Sequence, residues 1–493
     1  MAFSMAWRDT DVDGGADPGG DGGDDLASGR LAGFRRELYR CLGKRRDALF
    51  ELGDAVLCRP GRVQVLAELS LEPECRRGHG AVYDALSCGE VRVARLRRAL
   101  AGLPLPAWDD GRIRLGVDVS PWLRPEAATS SGRLFCHVYG RGKGSAQMIP
   151  GWPYSVIAAL EPGRTSWTAV LDAVRLGPED DETAVTAAQV RDVVHRLIEA
   201  GHWRPGDPAM LIVFDAGYDV TRLAFLLAGL PVELLGRLRA DRVMQLPALA
   251  RQPGTMGRPR KHGRELALAD PATWPAPQVT TSTATSRYGT AVASAWDRVH
   301  PRLTHRAAWL DHDGPLPVID GTLIRLQVDH LPGDRDPKPV WLWSSVTGAA
   351  PDQVDRLWQA FLRRFDLEHT FRLFKQVLGW TAPKIRDPAA ADRWTWLIIA
   401  CHAQLRLARP LAADLRLPGQ RPCLGSRLTP ARVRRDFRNI RATAGCPAGA
   451  PKPGKPGPGR PSGSKNRRPA TRHDVGKATK RELTLKARRE RTG

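Results

Sequence analysis

The run MLIVFDAGYD, residues 210–219, constrains the fold more than any other stretch of this chain. It opens with five apolar residues in succession, follows the breaker Pro205-Gly-Asp-Pro, and turns at an acid. A strand without polar alternation is buried on both faces, so it belongs inside a sheet covered by helices on either side. Its neighbours agree. RIRLGVDVS (112–120), RLFCHVYG (133–140) and a bent stretch through Pro153 to Leu160 read as strands. Segments around 166–176 and 184–201 read as helices, TRLAFLLAGL (221–230) as a third, and VELLGRLR (232–239) as the next strand. Hairpin strands followed by alternating helices and strands describe an α/β fold, a mixed sheet flanked by helices.

The flanks differ in kind. Residues 1–27 are acidic and Gly-rich with little to bury, which predicts disorder. Residues 28–105 turn helical, and FRRELYRCLGKRRDALFELGDAVL and VRVARLRRAL carry apolar positions among arginines. A solvated bundle and a DNA-contacting one share that pattern, and the formal net charge of +22 favours DNA. Pro104, Pro106 and Asp109-Asp-Gly close this domain, and the first part of the core runs over 106–240. Residues 241–345 break the rhythm and read as an insertion, in which TLIRLQVDHL (322–331) and PVWLWSS (339–345) form a β pair. Helices at 351–378 and 394–408 resume the core over 346–440, and 441–493 read as a disordered basic tail.

Several classes of function are disfavoured. No apolar run approaches the roughly 18 residues that cross a bilayer, and the first residues lack the pattern of a secretory signal. Cys75, His79 and Cys88 alone approach zinc-ligand spacing, and a fourth ligand is missing. The chain reads as cytoplasmic and reduced.

The acids suggest chemistry. Asp118 lies in the first core strand and Asp215 ends the continuous one. Each alone suits a turn or a cap. Asp219 is a rival to Asp215 and fits a helix N-cap. A third acid, Glu368, lies in FLRRFDLEHTFRLFK, residues 361–375. As one helix, this segment sets Phe361, Arg364, Glu368 and Lys375 within an arc of about 60°. Three clustered carboxylates repel one another unless divalent cations sit among them, and oxygen ligands favour Mg²⁺ or Mn²⁺. Two such ions about 4 Å apart serve phosphodiester displacement.

At these residues the chain resembles the DDE transposases of the IS4- and IS701-like bacterial insertion-sequence group, whose catalytic core is ribonuclease H-like. The first Asp of that group matches GVDVS and the second matches FDAGYD. Its signature Tyr-x2-Arg-x3-Glu-x6-Lys matches Phe361, Arg364, Glu368 and Lys375 except for Phe in place of Tyr. The likeness covers roughly residues 106–440, including a β-rich insertion before the glutamate helix. It implies that Asp118, Asp215 and Glu368 are catalytic and hold two Mg²⁺ or Mn²⁺ ions, while Phe361, Arg364 and Lys375 contact DNA. It also implies cleavage at the element's ends, strand transfer into target DNA, a homodimer in the DNA complex, and a place in the nucleoid. The alternatives are another ribonuclease H-like nuclease and a transposase-derived DNA-binding protein without activity.

Two basic segments point to DNA independently. GRPRKHG in the insertion (Arg258, Arg260, Lys261) and PGRPSGSKNRRP in the tail (Arg460) each place Gly-Arg-Pro among bases, suited to a narrow minor groove. Trp152, Trp296 and Trp380 read as core residues before they read as wedges beside a flipped base.

Overall fold

The computed structural model describes residues 21–138, 147–163, 165–250, 256–285, 288–310, 312–331, 337–452, 463 and 468–476. Five helices come first: α1 (Asp21–Cys41), α2 (Arg46–Cys58), α3 (Leu66–Leu69), α4 (His79–Cys88) and α5 (Val93–Ala101). Helix α1 begins inside the segment expected to be disordered. Leu31, Phe34 and Leu38 bury its inner face, and Asp24 and Asp25 near its start suit the helix dipole.

The core follows as β1 (Arg114–Leu123), β2 (Leu134–Val138), β3 (Gln147–Leu160), β4 (Thr168–Arg175), α6 (Glu182–Glu199), β5 (Met210–Phe214), α7 (Val220–Leu226) and β6 (Val232–Leu238). Then come β7 (Val243–Gln245), β8 (Glu265–Ala267), β9 (Val279–Thr285), β10 (Gly289–Trp296), β11 (Thr322–Val328) and β12 (Val340–Ser344). The chain closes with α8 (Pro351–Arg363), α9 (Asp366–Gln376), α10 (Pro388–Ala408) and α11 (Pro430–Ala444). No helix among the described residues is long and apolar enough to cross a membrane.

A ten-stranded mixed sheet orders these strands β2-β3-β1-β5-β6-β12-β11-β10-β9, with β4 also paired to β3. Strands β1, β5 and β6 are parallel and central, while the others pair antiparallel. The continuous run is β5, buried along its whole length. Helices α6 and α7 cover one face, over Val117, Ile212 and Phe214. On the other face, α8 packs over Val213, Leu235 and Ile324, and α9 packs beside β1 and β4.

Two expectations are corrected. Residues 168–175, read as helix, form β4. Six of its eight residues are buried, so neither period shows in the sequence, and antiparallel pairing with β3 decides the outcome. The stretch read as an insertion joins the central sheet: β12, β11, β10 and β9 continue it outward from β6. The tail is also more structured than expected from residue 441. Helix α11 runs to Ala444, and near the C-terminus His473 N donates to Ala128 O (2.8 Å) while Gly476 pairs with Leu134 at the start of β2.

The N-terminal helices do not stand apart from the core. Helices α10 and α11 pack against α1 and α2 in one hydrophobic cluster that also holds Trp122, Trp152 and Trp380. Many arginines of this bundle are committed to internal pairs, such as Arg35–Asp54, Arg77–Glu51 and Arg97–Asp172. Paired in this way, these arginines help to organise the bundle's core.

Candidate active site

Strand register brings two of the acids together. Gly116 pairs with Val213 and Val117 with Phe214, so Asp118 and Asp215 follow on adjacent parallel strands. Side chains alternate along a strand, so both acids share a face with Gly116 and Val213, the face that α8 and α9 cover. Asp118 Oδ1 accepts a hydrogen bond from Val119 N (2.8 Å). Asp215 is about one-third exposed, and its Oδ1 has no hydrogen-bond partner. Asp219 instead caps α7, accepting from Arg222 N (3.0 Å) and Thr221 Oγ1 (2.8 Å), the role its place before the helix suits.

The segment 361–375 is two helices rather than one. Arg364, Phe365, Leu367 and Glu368 donate backbone bonds to residues three positions earlier, at 3.0–3.3 Å. Such a tight 3₁₀ turn interrupts the helix at Arg364–Phe365, and across it Arg364, Glu368 and Lys375 still lie near Asp118. The physical reason lies in two apolar stripes. Leu357, Trp358 and Phe361 fill the core over β5 and β11, whereas Leu367, Phe371 and Phe374 fill the core shared with α10. No straight helix serves both.

Phe361 is therefore a core residue, 2 % exposed, which corrects its expected role in contacting DNA. Arg364, at the junction, is also 2 % exposed. Its Nη1 lies 2.9 Å from Asp118 Oδ2 and its Nη2 lies 3.4 Å from Asp215 Oδ2. The guanidinium also stands over the rings of Phe365 (5.0 Å) and Phe361 (5.8 Å). Arg364 thus links the two acids.

Glu368 lies in the first turn of α9 and makes no side-chain hydrogen bond or ion pair among the described residues. Burial raises its pKa, Arg364 opposes the rise, and Asp118 and Asp215 add to it. Burial also raises the pKa of Asp118, again against Arg364 and with Asp215. Glu368 therefore feels the charge of both aspartates, and Asp118 feels that of Asp215. Helix α9 is fixed close to β1 because Gly116 has no side chain: a Cβ there would stand 2.9 Å from Leu367 Cδ1. Thr370 Oγ1, 2.8 Å from Thr168 Oγ1, ties the same helix to β4.

Lys375, in the last turn of α9, packs its ammonium 5.8 Å from the Trp380 ring. Burial lowers its pKa to about 8, with Asp118 opposing. Three contributors went unread in the sequence. Arg237 on β6 reaches within 4.0 Å of Asp215, a position that register counting from Gly236 beside Phe214 would have found. Tyr218 lies close enough to Asp118 for that charge to raise its phenol further, burial being the main cause. Gly116 carries no chemical signal of its own.

The remaining candidates fall elsewhere. Arg258, Arg260 and Lys261 are exposed, and Lys261 Nζ donates to Leu316 O. Their loop is tied down by His262 Nδ1, 3.0 Å from Nε2 of the buried His300. Arg460 lies outside the described residues. Trp152, Trp296 and Trp380 are all buried and donate to Ser131 O, Pro275 O and Thr395 Oγ1. Among the described residues, no group of three His, Cys, Asp or Glu side chains is arranged to hold a metal ion, so Asp118, Asp215 and Glu368 are not drawn together as a ligand trio in this arrangement.

The donor chemistry nevertheless suits a hard divalent cation: carboxylate oxygens only, one of them buried without a partner. Residues 37–335 match the family model described as DDE superfamily endonuclease, a span that contains Asp118 and Asp215 and ends before Glu368. No curated protein matches the chain.

Proposed function

Because the chain belongs to the DDE superfamily of endonucleases, we propose that it is a transposase that cuts DNA at its element's ends and joins the freed 3′-hydroxyls to target DNA. The observation that carries this reading is the convergence of Asp118 and Asp215, from adjacent parallel strands, on a single guanidinium. The order β4-β3-β1-β5-β6, antiparallel as far as β1 and parallel from there, supports a ribonuclease H-like core. The spacing of Arg364, Glu368 and Lys375 supports the IS4- and IS701-like group.

In this reading Asp118, Asp215 and Glu368 hold two Mg²⁺ or Mn²⁺ ions. Such ions would activate the attacking oxygen and stabilise the leaving one. The protein's own residues do the positioning. Parallel pairing of β1 and β5 sets the two aspartates side by side, and the Gly116–Leu367 contact brings the first turn of α9 to them. Lys375 offers an ammonium near Asp118, where a DNA phosphate would meet it. Arg258, Arg260 and Lys261 add exposed charge for the flanking duplex, and Arg460 adds a further cation from the tail sequence. The protein acts on double-stranded DNA as a homodimer within the nucleoid.

A plasmid carrying the coding region with its flanking inverted repeats tests the reading. Purified protein should nick and excise the segment with Mg²⁺ and not with EDTA. Asp118→Asn, Asp215→Asn and Glu368→Gln should each abolish cutting while DNA binding persists. Cutting that survives EDTA, or survives all three substitutions, would overturn it.

A further inference from the structure

We propose that Arg364 is a resident counter-cation that locks Asp118 and Asp215 in the free protein, and that a DNA phosphate must draw it away before a divalent ion can bind. The inference rests on the reading of these acids as metal ligands. It adds an order of events: DNA first, metal second.

Geometry supplies the lock. One guanidinium spans both acids, at 2.9 Å and 3.4 Å, from a side chain 2 % exposed. Two carboxylates on neighbouring strands repel, and this guanidinium quenches the repulsion. Asp118 and Asp215 would hold a divalent ion through the same oxygens that Arg364 now holds. Removing a partner from a buried pair leaves an uncompensated charge, so neither the guanidinium nor the acids separate without a replacement.

The release follows from what a guanidinium prefers. Its fork fits a phosphate as well as it fits carboxylates. Arg364 stands in the 3₁₀ turn between α8 and α9, beside the Asp215 carboxylate, which is about one-third exposed, and its Nε is buried with no partner. Its present bonds therefore leave donor capacity unused. Arg237, at 4.0 Å from Asp215 Oδ1 and one-third exposed, remains beside that acid when Arg364 leaves. A scissile phosphate arriving over the acids would take the Arg364 fork and free the oxygens for the ion.

Linkage then fixes the thermodynamics. If Arg364 is off the acids in only a fraction of free molecules, apparent metal affinity falls by that fraction. A lock open in roughly one molecule in a hundred weakens metal binding about 100-fold. DNA raises metal affinity by the factor with which metal raises DNA affinity. Free protein then holds little metal and does not hydrolyse stray substrates.

The test is Mn²⁺ binding to the full chain without DNA, followed by electron paramagnetic resonance of the free ion. Wild type should bind weakly and Arg364→Gln at least about 10-fold more tightly. Asp118→Asn in the Arg364→Gln background should lose that gain. A short blunt-ended DNA duplex, corrected for the Mn²⁺ it binds alone, should tighten binding to wild type and leave Arg364→Gln nearly unchanged. Equal affinities for wild type and Arg364→Gln, both lost with Asp118→Asn, would refute the lock and keep the metal site. If Asp118→Asn and Asp215→Asn leave Mn²⁺ binding as in wild type, with DNA or without, the metal-site reading itself falls and the lock with it. Should Arg364→Gln fail to fold, the duplex-induced change in wild type decides alone: tightening supports the lock, and no change refutes it.

Discussion

Gly116 and Leu367 touch across the junction of β1 and α9, with Leu367 Cδ1 only 2.9 Å from where a Cβ on Gly116 would stand. Leu367 is fully buried and precedes Glu368, while Gly116 lies two residues before Asp118. One contact thus sets the spacing between the first and third acids. Gly116→Val should push α9 outward. Its partners are the flexible ends of Leu367 and Leu160, so the fold should survive at a cost of about 1–3 kcal/mol. Cleavage should fall far more than DNA binding. Equal losses in both, measured on the soluble fraction, would make the contact purely structural.

A second prediction concerns the C-terminal segment. Arg133 Nη2 donates to His473 O (2.9 Å), and Gly476 N donates to Arg133 O (2.9 Å). A Cβ on Gly476 would stand 2.4 Å from Pro178 Cβ, so only glycine fits. Gly476→Val should undock this segment from β2, and limited proteolysis should then cut near residue 473 faster than in wild type. Truncation after residue 444 should flatten the dependence of log K on log salt, by about 0.9 for each phosphate that the tail neutralises. Unchanged proteolysis in Gly476→Val would show that the docking does not depend on this close fit.

Much of this was legible in the sequence, and the failures have physical causes. The β5 run and its terminal acid announced a central strand because five successive apolar residues admit few other places. The pairing of Asp118 with Asp215 followed once both strands were parallel neighbours. Residues 168–175 misled because a strand buried on both faces carries no period. The Phe361–Lys375 segment misled differently: its residues favour helix throughout, and only two separate cores force the turn at Arg364. Arg364 bears a charge that suggested DNA, but which anion it meets in the free protein depends on contacts 246 residues apart.

Lys375 gives a pH signature. Its pKa, lowered by burial to about 8, lies below the 10.5 of a free lysine. Between those values the unfolded chain holds a proton that the native state has released. Stability from this group therefore rises with pH through the window of about 8 to 10.5, the reverse of an exposed ion pair. Lys375→Met should remove that rise in thermal melts, and a slope unchanged by the substitution would show the amine to be solvated. DNA affinity should respond oppositely, because only the charged amine attracts phosphate: above pH 8 wild type should lose affinity faster than Lys375→Arg.

Glu368→Gln separates chemistry from scaffold. The substitution keeps length and helix propensity and removes the one charge of the three that has no ion-pair partner among the described residues. Glu368 is only partly buried, and its raised pKa comes first from burial and then from repulsion by Asp118 and Asp215, so neutralising it relieves strain in the free protein. Thermal stability at pH 8 should hold or rise slightly. DNA affinity should hold or tighten, since a negative charge near phosphate is lost. Strand cleavage should fall by several powers of ten, each costing about 1.4 kcal/mol of transition-state stabilisation. If the variant melts well below wild type while cleavage per folded molecule is unchanged, Glu368 serves the fold of α9 and the third ligand must be sought elsewhere.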